Sequence, residues 1–285
     1  MARALVVGEV LWDRFPDTAR LGGAPLNFAV QLQRLGDTVQ LVSAVGADEA
    51  GEEATRMIRG LGLDTTWLQS SARFSTGAAT VCVGPSGDPV FTIERPAAYD
   101  ALELTDAEIA QISAWKPSLL YYGTLFPSCP GGRRTLDRLL QQLPETTRFY
   151  DLNLRPGFDD PSLFADLLRA AQVVKLNEDE LAVVCRETGL SIGLESFCRD
   201  GRRRFGWRAV AITLGARGCA LFSGDDFVEA PGVPVTVVDT VGAGDAFAAA
   251  FVHGLAANWP AAAIAEFANR SGAAVAAGHG VLPSR

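Results

Sequence analysis

The chain alternates short runs of β-branched and aliphatic residues with longer stretches whose apolar positions recur three and four apart. Residues 4–10, Ala-Leu-Val-Val-Gly-Glu-Val, predict a buried strand, and 41–45 a second. Between them Phe28, Leu32 and Leu35 repeat at helical spacing, and Gly36 fits the end of that helix. A helix over 51–60 and a short strand over 65–68 follow. From Thr76 the texture changes. Segments 79–84 and 90–95 predict a β-hairpin around Pro-Ser-Gly-Asp at 85–88. Thr105-Asp-Ala-Glu108 is a capping box that opens a helix reaching Ala114. Regular alternation then resumes. Strands are expected at 118–123, 148–153, 173–177 and 209–213, with helices near 133–143, 161–171, from Glu178, and near 194–204. A hairpin-like pair at 219–222 and 227–230 leads to a strand at 235–238, and alanine-rich helices at 245–257 and 261–277 finish the chain.

This alternation predicts an α/β fold with a mainly parallel sheet and helices on both faces. The hairpin interrupts it. Together with residues near 12–20, it predicts a small β lid over a site. The expected organisation is one domain over 1–285, with the lid formed by about 12–20 and 76–98.

Composition narrows the function classes. With 285 residues, 48% hydrophobic and 20% charged, the chain can bury a large core. A net charge of −8 argues against a nucleic-acid partner or an anionic membrane surface, and no apolar run is long enough to span a bilayer. The N-terminus does not resemble a signal peptide. Five scattered cysteines without a Cys-x-x-Cys pair point to reduced thiols in a cytoplasmic protein. Two histidines, His253 and His279, leave little supply for histidine catalysis or metal binding, and both read as structural.

The chemistry centres on 239–247, Asp-Thr-Val-Gly-Ala-Gly-Asp-Ala-Phe. A strand that becomes a helix through Gly242 and Gly244 leaves N–H groups without partners, and the helix dipole favours an anion there. Glycines let a ligand approach the backbone closely. Asp245 would repel a phosphate in that turn. It suits a base that takes a proton from a hydroxyl attacking the phosphate. No Gly-Lys-Ser/Thr follows, which excludes a P-loop, and Phe247 stands where a dinucleotide fingerprint needs its third glycine. A plain helix N-terminus with a stabilising acidic residue accounts for the same residues without a ligand.

Other candidates lie at strand ends. Asp13 follows the first strand, where open α/β sheets bind ligands. Gly22 and Gly23 precede a helix with Asn27 in its first turn, an amide able to donate to and accept from a sugar hydroxyl. Arg95, at the end of the hairpin, is placed to reach a substrate and suits a solvated surface equally well. Asp151, Asn153 and Arg155 close one strand, Asn177 and Glu180 the next, and Thr213, Gly215 and Gly218 a third. Polar groups at 177–180 can organise Mg²⁺-bound water and phosphates, and Arg155 can stabilise a transferring phosphoryl group.

Residues 239–247 resemble the C-terminal signature of the ribokinase-like (PfkB) carbohydrate kinases, and Gly22-Gly-Ala-Pro-Leu-Asn27 resembles their N-terminal one. Asn177-Glu-Asp-Glu180 is similar to their Asn-x-x-Glu motif, and Thr213-Leu-Gly-Ala-Arg-Gly218 to their nucleotide-site turn. Gly8-Glu-Val-Leu-Trp-Asp13 and Asp151-Leu-Asn-Leu-Arg155 look most like bacterial fructokinases. The resemblance implies a three-layer α/β/α ribokinase-like fold and transfer of the ATP γ-phosphate to a primary hydroxyl, with fructose first. Ribose, 2-keto-3-deoxygluconate or a nucleoside are the alternatives, and a sugar-binding regulatory protein is the non-enzyme one. It implies that Asp245 is the base and that the N–H groups of 241–244, including Gly242, Ala243 and Gly244, form an anion hole. Asp13, Gly23 and Asn27 would bind sugar, with Arg95 as a further candidate. Asn153, Arg155, Asn177 and Glu180 would serve Mg²⁺ and the phosphates, and Thr213, Gly215, Gly218 and Asn269 would border ATP. Asp239, the carbonyl of Thr240 and carbonyls near 274–280 would hold a K⁺ ion. The expected assembly is a monomer or a homodimer joined through the lids.

Overall fold

The computed structural model describes residues 1–83, 89–155 and 160–278. Its main sheet has nine strands: β1 (Arg3–Val7), β4 (Thr38–Gly46), β5 (Leu68–Ser71), β8 (Leu119–Tyr122), β9 (Thr147–Asp151), β10 (Val173–Asn177), β11 (Ala209–Thr213), β12 (Gly218–Ser223) and β13 (Asp226–Pro231). They lie in the order β13-β12-β11-β10-β9-β8-β1-β4-β5. Pairing is parallel from β11 through to β5, and the β12–β13 hairpin adds two antiparallel strands at one edge.

Side chains alternate between the faces of a strand, so β1 sends Ala4 and Val6 to one core and Leu5 and Val7 to the other. Helices α1 (Ala24–Arg34), α2 (Glu49–Gly60), α8 (Ala243–Ala256) and α9 (Ala261–Ala276) cover the first face through Phe28, Ile58, Phe251 and Ile264. On the other, α3 (Asp106–Trp115), α4 (Pro130–Gln142), α5 (Pro161–Ala170), α6 (Glu178–Thr188) and α7 (Leu194–Phe205) bury Ile112, Leu136, Leu167, Leu181 and Phe197. The result is the three-layer α/β/α arrangement that the alternation predicts. Both anticipated local signals operate: Thr105 and Glu108 cap α3 reciprocally, and Gly36 follows α1 with φ 92°. Among the described residues no helix is long and apolar enough to cross a membrane.

A second sheet, ordered β3-β2-β6-β7, is built from β2 (Leu11–Arg14), β3 (Ala19–Gly22), β6 (Gly77–Val83) and β7 (Pro89–Glu94). These are the segments expected to form the lid. The turn expected at 85–88 lies outside the described residues.

Three expected strands differ. Residues 4–10 are not one strand: β1 ends at Val7. A side chain at Gly8 would strike Pro25 of α1, so the chain leaves the sheet there and re-enters as β2. The strand expected at 65–68 starts three residues later. Asp64 Oδ1 accepts from the N–H of Thr66 at 2.8 Å, and this Asx turn delays it. Residues 235–238 form no strand. The N–H of Val238 donates instead to Ala276 O at 2.8 Å, at the end of α9, and Val237 is 60% exposed.

Candidate active site

The carboxyl ends of β10 and β11, the N-termini of α1 and α8, and the small sheet enclose a polar cleft of about 260 Å³. Glu9, Asp13, Asn27, Arg155, Lys175 and Asp245 face it. Asp245 lies in the first turn of α8 and is only 7% exposed. Asn27 Nδ2 donates to its Oδ2 at 2.9 Å, joining the two glycine-led helix starts. Burial lifts the Asp245 pKa to about 6. The Asp151 carboxylate adds to the rise, and Lys175, Asn27 and Arg155 oppose it. Asp245 is therefore mostly ionised at neutral pH, with a pKa close enough to that pH for efficient proton transfer.

Gly242 caps α8 with φ 79°, a left-handed conformation that favours glycine. The N–H of Val241 donates to Asp239 Oδ1 at 2.9 Å, and that of Ala243 to Thr240 O at 3.1 Å. Among the described residues, the N–H groups of Gly242, Gly244 and Asp245 have no protein acceptor. They are three donors at a helix N-terminus, the arrangement that binds anions. Beneath the turn, Lys175 pairs with the buried Asp151 at 3.0 Å. A Cβ on Gly244 would lie 3.4 Å from Lys175 Nζ, which puts the ammonium directly under the anion turn. Burial lowers the Lys175 pKa, but Asp151, Glu180 and Asp245 outweigh it, and the group stays charged.

On the opposite wall, Asp13 projects from β2. A Cβ on Gly22 would lie 2.5 Å from Asp13 Oδ2, so the carboxylate rests against bare backbone. Burial raises the Asp13 pKa to about 7, with Asp245 adding to the rise while Arg155 and Arg20 oppose it. Burial likewise raises Glu9, in the break between β1 and β2, to about 7. Gly23 (φ 105°) passes so close to Glu9 that an added Cβ would lie 2.6 Å from its carbonyl oxygen.

A second, mainly apolar cavity of about 530 Å³ adjoins the cleft. Gly215, Gly218, Val233, Val235, Val237 and Phe247 line it, and it shares Thr213, Thr240 and Gly244 with the cleft. Asn269 borders it and donates to Pro231 O at 3.0 Å. The turn at 240–244 is thus the wall between a polar and an apolar chamber. A larger cavity, about 730 Å³, lies at the opposite ends of the strands beside Met1, Leu119 and Val173, and among the described residues no carboxylate lines it.

A family model described as pfkB family carbohydrate kinase matches residues 15–284. The chain belongs to the pfkB family. It is 30% identical over 270 residues to a fructokinase of Salmonella typhimurium, covering 90% of this chain and 85% of that one. An aminoimidazole riboside kinase of Salmonella typhimurium is 28% identical over 300 residues, covering 99% and 91%. A sugar kinase of Pyrococcus horikoshii, solved in complex with ATP, superposes with a TM-score of 0.82 at 24% identity, covering 98% and 95%.

Within this pfkB chain, several expected site residues sit otherwise than the motifs imply. Arg95 is not in the cleft. Its guanidinium pairs with Asp100 and donates to Leu125 O at 3.1 Å. Glu180 does not face the cleft either. Its oxygens accept from the N–H groups of Asn177 and Leu154, both at 2.8 Å, in a reciprocal cap. It thereby fixes the loop that carries Asn153 and Arg155, while Asn177 itself reaches the cleft. Of the anion-hole donors expected over 241–244, those of Val241 and Ala243 are engaged within the turn. Among the described residues no three acidic, Cys or His side chains gather to hold a metal.

The expected K⁺ site does not fit its residues. One Asp239 oxygen accepts from Val241, and the other is paired with Arg20. The carbonyl of Ala276 already accepts from Val238 and Asp239, and 279–280 lie outside the described residues. His253 meets Asp37 at 2.6 Å and does not border the cleft, and His279 is outside the described residues. The four described thiols, Cys129, Cys185, Cys198 and Cys219, form no disulfide.

The motifs gave no role to Glu9, Lys175 or Arg20. Lys175 had a signal: a charge inside the apolar run Val-Val-Lys-Leu-Asn demands a buried partner.

Proposed function

We propose that the protein transfers the γ-phosphoryl group of ATP to a primary hydroxyl of a neutral ketohexose, fructose being the first candidate. Asp245 carries this reading: a buried, Asn27-held carboxylate with a pKa near 6, set where the polar and apolar chambers meet. In this reading the polar cleft takes the sugar, and Asp13 accepts from its hydroxyls. The apolar cavity takes the adenine. The γ-phosphate rests on the N–H groups of Gly242, Gly244 and Asp245. Mg²⁺ enters with the nucleotide as part of the substrate and neutralises phosphate oxygens. Asp245 takes the proton of the attacking hydroxyl, while Arg155 and Lys175 offset charge on the phosphoryl group. The small sheet acts as a lid that excludes water.

The likeness to a fructokinase supports a ketohexose. Three carboxylates face the cleft and Arg95 is committed to Asp100, which disfavours an acidic sugar. The likeness to a riboside kinase keeps ribosides as the second reading. The test is ADP release across fructose, ribose, glucose, 2-keto-3-deoxygluconate and adenosine. Fructose is expected to give the highest kcat/KM. Turnover confined to another sugar overturns the fructose assignment, and sugar binding with no ADP from any of them overturns the kinase reading.

A further inference from the structure

Arg20 stands directly opposite Asp13 in the β2–β3 pair, so the two side chains share one face of the small sheet. From there its guanidinium reaches across the chain to Asp239, the residue that opens the anion turn. The pair is largely sheltered, with side-chain exposures of 24% and 17%. Phe15 lies under the guanidinium, 4.9 Å from ring centre to carbon. The other oxygen of Asp239 holds the N–H of Val241 at 2.9 Å. Asp239 therefore anchors Val241 within the turn, and Arg20 supplies the positive charge that pairs this sheltered carboxylate.

A monovalent cation here would need the same carboxylate oxygen and would sit against a permanent positive charge. We propose that Arg20 is a built-in cation: it occupies the position beside Asp239 that a bound K⁺ would take, and the protein needs no K⁺. Because Arg20 belongs to the small sheet, the charge that steadies the turn arrives from the wall that also presents Asp13. The sugar side and the phosphate side are thus tied through one side chain. The activity part of this inference rests on the proposed kinase reading; the binding part does not.

The test compares wild type, Arg20→Met and Arg20→Lys in K⁺ and in tetramethylammonium at equal ionic strength. Thermal melting and turnover are both read. The wild type is expected to melt and turn over alike in the two salts, since an ion that does not bind the native state cannot stabilise it. Arg20→Met is expected to lose about 10–100-fold in turnover without K⁺ and to regain part of it with K⁺. It should also gain a K⁺-dependent rise in melting temperature. Arg20→Lys should retain most turnover and show no K⁺ effect. A wild type stabilised or activated by K⁺ overturns the proposal, as does an Arg20→Met variant indifferent to K⁺ in both readouts. Should Arg20→Met fail to fold, the wild-type comparison decides alone. If no sugar is phosphorylated, the melting arm still decides, and only the kinase reading falls.

Discussion

Replacing Asp245 with Asn separates catalysis from stability, because the two should move in opposite directions. The amide keeps the shape and can keep the contact with Asn27, but cannot take a proton. General bases contribute about 10²–10⁴-fold, so turnover should fall by that factor, about 3–5 kcal/mol of barrier. Stability works the other way. The Asp245 pKa rises from 3.8 to about 6 on folding, chiefly by burial. That is about two units, so at roughly 1.4 kcal/mol per unit the ionised carboxylate costs the folded state about 3 kcal/mol. The sign follows from linkage. A raised carboxylate pKa contributes stability below the unfolded value, and that stability is lost as pH rises through about 6.

Asp245→Asn should therefore melt higher than wild type at pH 7, by about 5 °C for a chain of this length. Near pH 4 the gain should disappear, because Asp245 is then protonated in the folded protein. The assay is coupled ADP release with fructose alongside calorimetry at the two pH values. Near-wild-type turnover would refute the base assignment. A variant that loses activity and also melts lower at pH 7 would refute the buried-charge reasoning.

In wild type, kcat/KM should fall below pH 7 as Asp13 gains a proton and more steeply below pH 6 as Asp245 does, and the residual activity of Asp245→Asn should lack the steeper limb. Gly22→Ala would push a methyl against Asp13 Oδ2; the sugar KM should rise about 10–100-fold, with the ATP KM little changed, which steady-state kinetics checks. Lys175→Met leaves Asp151 buried without its ion partner, so urea unfolding should show a loss of about 3–5 kcal/mol.

The βα alternation was legible because strands buried on both faces read as mainly apolar runs, and the bounds expected at 173–177 and 209–213 match to the residue. The valines at 235–238 misled for a physical reason. β-branched residues suit any extended backbone beside an apolar surface, and a sheet partner is only one such surface. Here β13 already forms the sheet edge, and Val233, Val235 and Val237 line the apolar cavity instead. Arg95 misled in the opposite direction. Its partner lies five residues on, in the short turn at Ala98–Ala101, and nothing in the spacing says that the turn folds Asp100 back onto it.

The turn at 240–244 shows what a motif can and cannot carry. Its glycines and Asp245 are local, so the helix start, the anion preference and the buried acid follow from the sequence. Which of its N–H groups remain free does not. That depends on Asp239 folding back to Val241 and on Thr240 closing a tight turn onto Ala243. Asp239 is in turn held by an arginine 219 residues earlier in the chain. The same signature would read identically with a metal ion or a guanidinium beside Asp239, since only the packing of the small sheet against the turn decides between them. On the proposal made for Arg20, the ion requirement here is set by the wall opposite the motif and not by the motif itself.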